Sequence, residues 1–400
     1  MKIGILEEEK EPADKRVPLT PKQCSLLQAT YPNLIIVVKS SMIRCFSDEM
    51  YINEGIDIVA DLNDCDVLIG VKEVPKKSLI SNKTYFYFSH TIKEQPYNRE
   101  LLLLMMELNI AMVDYEVLKN QKGKRLLGFG RYAGIVGAYN GFLTYGLKSG
   151  KYTLKAAHNC EDRVEMEAEM AKIKLSNERI IITGNGRVGN GIMEIIQKAN
   201  IKEVSKSGFL NETFDEAVFV HLNTMDYNVR KDGEVSVKSD FYMHPELYKS
   251  VFMSYAKKAD IFIAGHYFSS GSPYLFTRED MKTSDFNLQV VADVSCDIDG
   301  PVACTVRPST IAKPIYGYNP LTEQEDDFKK EGIVAVMAVD NLPCELPKDA
   351  SEDFGNELLE KILPSLLISD DDHIIKNATI CKEGDLMPNF EYLRNYVNGN

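Results

Sequence analysis

Two strand-like runs end on residues that titrate. DVLIGVKEVP (66–75) closes five apolar or glycine residues with Lys72, and TYFYFSHTIKEQ (84–95) closes an aromatic run with Ser89, His90 and Lys93. An ammonium at the carboxyl end of a buried strand costs several kcal/mol unless it is paired or lies in a solvated cleft. Ligands of open α/β sheets bind beyond the carboxyl ends of the strands, so both ends can line one crevice. A lysine in a partly dry cleft near other cations has its pKa pushed down and becomes a usable base, while a neighbouring histidine handles a second proton. Taken singly, Lys72 reads equally well as a snorkelling surface lysine and His90 as a hydrogen-bonded core histidine. On adjacent strand ends the two together favour chemistry.

Further candidates surround this pair. KEPADKRVPLTP (10–21) places Arg16 before a helix start at which Thr20 is the N-cap ahead of Pro21. Arg16 either clamps a carboxylate bidentately or is a surface arginine. VDYE (113–116) ends a strand with Asp114 and Glu116, carboxylates that pair with Lys72 or Lys93 or face solvent. RLLGFGRYAGIVGA (125–138) is dense in glycine, which fits close helix packing or backbone approach to a substrate. SDDDHIIKN (369–377) has metal-ligand residue types but reads as an acidic solvated loop.

A different chemistry is written in IIITGNGRVGNGIMEII (180–196), where Gly184, Gly186 and Gly189 follow an aliphatic strand and open a helix. The first glycine permits a tight turn, the second lets backbone approach a pyrophosphate, and the third allows helix–strand packing. The helix N-terminus, with Arg187 and Val188, offers free N–H groups to phosphates. The residue that reads the ribose follows about 20 residues on. In IKEVSKSG it is Glu203 if the strand ends there, which suits a 2′-hydroxyl. It is Ser205 and Lys206 if the strand ends at Val204, which suits a 2′-phosphate. NADP(H) is the favoured expectation and NAD(H) the alternative. VVADVSCDIDG (290–300) brings Asp293 and Asp297 to a later strand end, and AVDNLPCELP (338–347) brings Asp340 and Asn341; Asp297 and Asp340 join the nucleotide set.

Positioning these groups takes two domains, since 400 residues exceed what one core usually serves. KIGIL, LIIVV, VLIGV, TYFYF and IAMVDY alternate with helical patterns at 21–31 and 94–108, the spacing of βαβ units. After a long helical segment at 134–148 come RIIIT, AVFVHL, ADIFIAG, LQVVADV and GIVAVMAVD. The expected fold is α/β, two Rossmann-like doubly wound parallel sheets with an interdomain active-site cleft. The amphipathic stretch 349–367 returns to the first domain, giving a discontinuous substrate domain, 1–142 with 343–400, and a nucleotide domain, 143–342.

Composition narrows the partners. Lys+Arg 46 against Asp+Glu 59 gives a net charge of -13 without a basic stripe, which argues against nucleic acid. The run LLLLMM (101–106) is far shorter than the ~18 residues of a membrane span. MKIGILEEEK turns acidic too early for a signal peptide, and eight scattered cysteines without a CxxC pair suggest neither a disulfide framework nor a zinc site. A cytoplasmic protein acting on small molecules is expected, with its oligomeric state open.

KIGILEEEKEPADKRVPLTP, GVKEVP and DNLPCELPKDAS resemble the alanine dehydrogenase and transhydrogenase α-subunit superfamily. KTYFYFSHTIKEQ, RLLGFGRYAGIVGA, GNGRVGNG and VADVSCDIDGPV resemble a narrower branch, the lysine-forming saccharopine dehydrogenases, and within it the lysine-ketoglutarate reductase portion of the aminoadipate-semialdehyde synthases. The resemblance implies reductive condensation of L-lysine with 2-oxoglutarate to saccharopine by NAD(P)H, or the reverse. It implies that Lys72 is the acid/base at the secondary amine and His90 the acid/base for the carbinolamine. It implies that Arg16, Lys93 and Arg125 hold the dicarboxylate end and that Glu116 tunes Lys72. An alanine dehydrogenase-like activity, or a transhydrogenase nucleotide module, are the rival expectations.

Overall fold

Short β-branched runs between helices form parallel-sheet layers in a computed structural model that describes residues 1–269 and 271–399. The chain divides into two units, Met1–Phe129 with Pro347–Asn400, and Gly130–Leu346. In the first unit the chain runs β1 (Lys2–Ile5), α1 (Pro21–Thr30), β2 (Ile35–Lys39), α2 (Asp48–Asn53), β3 (Asp57–Val59), β4 (Val67–Lys72), β5 (Thr84–Phe88), α3 (Pro96–Glu107) and β6 (Ala111–Asp114). Thr20 caps α1 as its sequence indicates, accepting from the Gln23 N–H while the Gln23 side chain accepts from the Thr20 N–H.

The second unit opens with α4 (Gly130–Ser149) and α5 (Arg163–Glu169). It continues through β7 (Arg179–Thr183), α6 (Arg187–Lys198), β8 (Lys202–Glu203), α7 (Lys206–Asn211), β9 (Val218–Leu222) and α8 (Thr224–Tyr227). The hairpin β10 (Asn228–Arg230) and β11 (Tyr248–Ser250) follows. Then come β12 (Ile261–Ala264), β13 (Val290–Asp293), β14 (Ile315–Asn319), β15 (Gln324–Asp326) and β16 (Val334–Met337). Its eight-stranded sheet has the order β15-β14-β16-β13-β12-β7-β9-β8, parallel except for β14, which runs antiparallel to both β16 and β15.

The chain then returns to the first unit through the helix Pro347–Lys361 and the antiparallel strands β17 (Thr379–Lys382) and β18 (Asp385–Leu386). The first sheet reads β18-β17-β6-β5-β4-β1-β2-β3, so its parallel strands are doubly wound and the order reverses between β1 and β4. That switch point is where an open α/β sheet leaves a crevice. Among the described residues no helix is long and apolar enough to cross a membrane.

The boundary falls at Phe129/Gly130, not inside α4 at 142, because α4 packs as one rod within the second unit. The glycines of 125–138 explain how. A Cβ on Gly134 would lie 2.0 Å from the Val188 carbonyl oxygen of α6, and one on Gly191 of α6 would lie 2.0 Å from the Arg131 carbonyl oxygen of α4. Gly137 similarly abuts Val294. Close helix packing accounts for Gly134 and Gly137. Gly134→Ala should therefore lower the unfolding temperature. Helix propensity favours alanine by about 1 kcal/mol, but overpacking against backbone costs about 1–3 kcal/mol or more. A raised temperature in thermal unfolding would show that α4 and α6 do not meet here.

Candidate active site

Lys72 and the loop after β1 flank the switch point of the first sheet. β4 leaves the regular ladder just before Lys72, with a register shift against β5 between Ile69 and Lys72. The backbone N–H groups of Val71 and Lys72 donate to the Glu8 carboxylate instead, at 2.6 and 2.8 Å. Glu8 is buried, and burial together with the Asp14 charge pushes its pKa up to about 8 against the pull of those two N–H groups. Lys72 itself is partly buried, and its Nζ makes no hydrogen bond or ion pair among the described residues. Burial, reinforced by Arg16 and Lys10, lowers its pKa, with Asp14 and Glu73 acting the other way. The lysine is thus biased toward the neutral form that a base requires.

Arg16 is 2 % exposed, not a surface arginine. Its Nε and Nη2 donate to Asp14 at 3.0 and 2.5 Å, and its guanidinium lies 4.1 Å above the Phe129 ring. Phe129 in turn stacks on Phe354 of the returning helix at 4.4 Å, and the Val17 N–H donates to Ser351 Oγ on the same helix. The discontinuous C-terminal segment therefore builds the floor under Arg16. Burial works to raise the Asp14 pKa, but the Arg16 pairing outweighs it and holds the carboxyl at about 2. Glu73, next to Lys72, binds Lys10 Nζ through Oε1 at 2.5 Å and keeps a buried Oε2 without a hydrogen-bond partner.

His90 follows β5, whose Phe88 stands in register with Lys72, so both groups emerge from adjacent strand ends. It adopts a left-handed conformation, φ 56°, which is uncommon without glycine. Its Nδ1 lies 3.3 Å from Glu116 Oε2 and 3.2 Å from Lys93 Nζ, and Lys93 Nζ is 3.3 Å from Glu116 Oε1. Of the two lysines expected as partners for a carboxylate here, Glu116 meets Lys93, beside His90. Strand β6 ends at Asp114, and the short turn after it carries Glu116 toward the end of β5. Asp114 pairs with neither lysine and is not solvated; it is fully buried and accepts from Ser89. Arg125 is exposed, with its guanidinium 5.5 Å over Phe88 and Nε donating to the Leu127 carbonyl.

In the second unit the glycine turn is packed backbone to backbone. Gly184 has φ +94°, and a Cβ there would lie 2.2 Å from the Gly265 carbonyl oxygen. A Cβ on Gly189 would meet the Gly184 carbonyl oxygen at 2.0 Å. Gly186, the N-cap of α6, has open space around it and makes no side-chain cap. Arg187 and Val188 begin that helix, with the Val188 side chain facing Gly130 and Gly265. Two histidines absent from the sequence expectation brace the turn. His221 Nε2 is 2.6 Å from the Gly184 carbonyl oxygen, and His266 Nδ1 is 2.8 Å from Thr183 Oγ1. Burial pushes the His266 pKa down to about 4, which keeps it neutral.

The strand that carries IKEV ends at Glu203, the first of the two endings considered for it. β8, which contains Glu203, is the sheet edge; the neighbour of β7 is β9. The carboxyl end of β9 leads to Asn223 and Asp226. Ser205 caps α7 by accepting from the Gly208 N–H, and Lys206 Nζ forms a 2.5 Å ion pair with Asp226. Asp293, at the end of β13, is buried and accepts from Ser295, Cys296 and Thr305, which fixes the loop carrying Asp297. Burial raises the Asp297 pKa, whereas Asp340, three residues past β16, is exposed.

The Glu116 pKa sets a stability signature for the first unit. Burial works to raise it, but the His90 hydrogen bond and the charges of His90, Lys93 and Arg125 bring it down to about 2 from 4.5. The folded state then binds this proton less tightly than the unfolded chain. Stabilisation is full above 4.5 and is lost as the pH falls toward about 2. Glu116→Gln should unfold at lower temperature than wild type near neutral pH, with the gap closing on acidification. A gap independent of pH, measured by thermal unfolding, would contradict the ion-pair assignment.

Comparison with known proteins bears on the family and the fold. Residues 4–136 match the alanine dehydrogenase/PNT N-terminal domain family. Alpha-aminoadipic semialdehyde synthase of Arabidopsis thaliana is 28% identical over 98% of this chain, but the chain spans only 41% of that protein's length. Saccharopine dehydrogenase [NAD(+), L-lysine-forming] of Neurospora crassa is 26% identical over 92% of this chain and 91% of its own. An L-alanine dehydrogenase structure superposes with a TM-score of 0.64 at 18% identity, covering 99% of this chain and 100% of its own, which fixes the fold alone. Residues 4–136 are thus similar to the alanine dehydrogenase/PNT N-terminal domain family, and over nearly its whole length the chain is similar to lysine-forming saccharopine dehydrogenases and aminoadipic semialdehyde synthases.

Proposed function

We propose that this protein is an NAD(P)-dependent oxidoreductase that reductively condenses L-lysine with 2-oxoglutarate to saccharopine, reversibly. The observation that carries the reading is the Lys72 ammonium, without a hydrogen-bond partner among the described residues, beside Arg16 at the switch point and one strand from His90. Arg16, Lys93 and Arg125 supply the cations that a dicarboxylate oxo acid demands. Neutral Lys72 takes a proton from the substrate ammonium, freeing the amine to attack the 2-oxo carbon. His90 gives a proton to the carbinolamine hydroxyl, which leaves as water and yields the imine. Reduced nicotinamide, when bound, supplies the hydride that turns the imine carbon into that of a secondary amine. Gly184, Gly186 and Gly189, the first turn of α6 with Arg187 and Val188, and the acids Asp297 and Asp340 would hold it.

An alanine dehydrogenase-like reaction is the nearest rival, because the fold is shared. Oxidation of NADH and NADPH with lysine plus 2-oxoglutarate, and separately with pyruvate plus ammonia, discriminates them; turnover only with the latter pair would overturn the proposal. With the favoured substrates, Lys72→Met should lower turnover by about 10²-fold or more while nucleotide binding is kept. Unchanged turnover would remove Lys72 from the chemistry.

The choice between NADP(H), the expectation from Lys206, and NAD(H), the nucleotide in the fungal relatives' name, is proposed to turn on Asp226 and Lys206. The carboxylate suits a ribose hydroxyl and repels a phosphate; the ammonium does the reverse. Asp226→Asn releases Lys206 and should raise the NADPH:NADH efficiency ratio by about one to two decades, the equivalent of one charge-assisted hydrogen bond. An unchanged ratio would place ribose recognition elsewhere.

A further inference from the structure

We propose that Asp114 is a positioning residue that sets the His90–Glu116 pair, a role that rests on the reading of His90 as an acid/base. Asp114 ends β6, is fully buried, and uses both oxygens across a strand boundary. Its Oδ2 accepts from the backbone N–H and the hydroxyl of Ser89, the residue that links β5 to His90. Its Oδ1 accepts from the Glu116 N–H at 2.7 Å. One carboxylate therefore fixes the backbone immediately before the imidazole and the backbone of the acid that faces it. The Ser89 hydroxyl also meets Thr91 Oγ1 at 2.8 Å and accepts from the Thr91 N–H, so the left-handed turn at His90 is tied on both sides.

No weaker arrangement satisfies these donors. The turn around His90 leaves the strand ladder, and buried N–H groups outside a ladder need an acceptor. Ser89, Thr91 and Asp114 are all buried, and the Asp114 carboxylate is the acceptor for the Ser89 and Glu116 N–H groups. Burial raises the Asp114 pKa and Glu116 adds to this, while the Ser89 and Glu116 donors and the His90 charge oppose it. An amide at 114 would still accept from Glu116 N–H but would turn an N–H toward the Ser89 N–H. The His90 turn would then relax away from Glu116.

The test is Asp114→Asn in the full chain, followed by the His90 ring resonances in heteronuclear NMR without substrate and by steady-state kinetics. The His90 signals should move to the positions they take in Glu116→Gln, because both changes release the same contact. Turnover should fall about tenfold to a hundredfold, as a misplacement near 1 Å produces, with nucleotide affinity unchanged. In the double variant with Glu116→Gln the two losses should not add. A folded Asp114→Asn whose His90 signals stay at their wild-type positions would overturn the proposal. Where Asp114→Asn does not fold, Ser89→Ala decides: a shift of the His90 signals in the same direction supports the role, and unmoved signals overturn it. The resonances are read without substrate, so they stand even if the lysine and 2-oxoglutarate reading fails.

Discussion

Burial of an ammonium at the carboxyl end of a central parallel strand is the constraint around which the first unit is organised. An uncompensated buried charge costs several kcal/mol, and the usual remedy is a direct ion pair. Lys72 has none among the described residues; it is surrounded instead by charges that are themselves committed. Arg16 is bound to Asp14, Lys10 to Glu73, and Glu8 to the backbone of Lys72. The result is a base held next to fixed cations and kept out of any pair that would stabilise its protonated form. A local fold that departs from the β4–β5 register is what makes this possible, and Glu8 supplies the acceptors that the ladder no longer does.

The two units share one plan and use it for opposite purposes. Each is an eight-stranded, mostly parallel sheet whose functional residues lie past the carboxyl ends of its strands. In the first, those ends carry long charged side chains on a stack of Phe129, Phe354 and Tyr115. In the second, they carry glycines whose missing Cβ atoms let carbonyls approach within about 2 Å of where a side chain would begin. One end is built to present charge, the other to present backbone N–H groups.

Much of this was legible in the sequence because aliphatic runs and glycine spacing are local signals. The ten strand-like runs all lie in strands, and the α4, Pro347–Lys361 and GNGRVG elements stand where their patterns place them. Strand order was not legible, since it depends on partners far away in the chain. IKEV follows the glycine strand and its helix in sequence, yet it forms the sheet edge, and AVFVHL is the neighbour of the glycine strand. Glu8 sits in LEEEK, where three consecutive acids look solvated, although the middle one is buried under Lys72. Glu116 and Asp114, two residues apart, were interchangeable by pattern; the turn after β6 buries one and presents the other to His90. His221 and His266 carried no signal beyond their positions near strand ends.

The claim on which the account stands is that Lys72 gives up its proton more readily in the folded protein than an ordinary lysine does, and the direct measurement is its own titration. Lysine amines labelled by reductive ¹³C-methylation give resonances that report ionisation, and the Lys72 signal is assigned by its loss in Lys72→Met. The account predicts a midpoint clearly below the ordinary 10.5, rising back toward that value when Arg16 is replaced by a neutral residue of similar size. A Lys72 signal that titrates at 10.5 or above in the folded protein would contradict it.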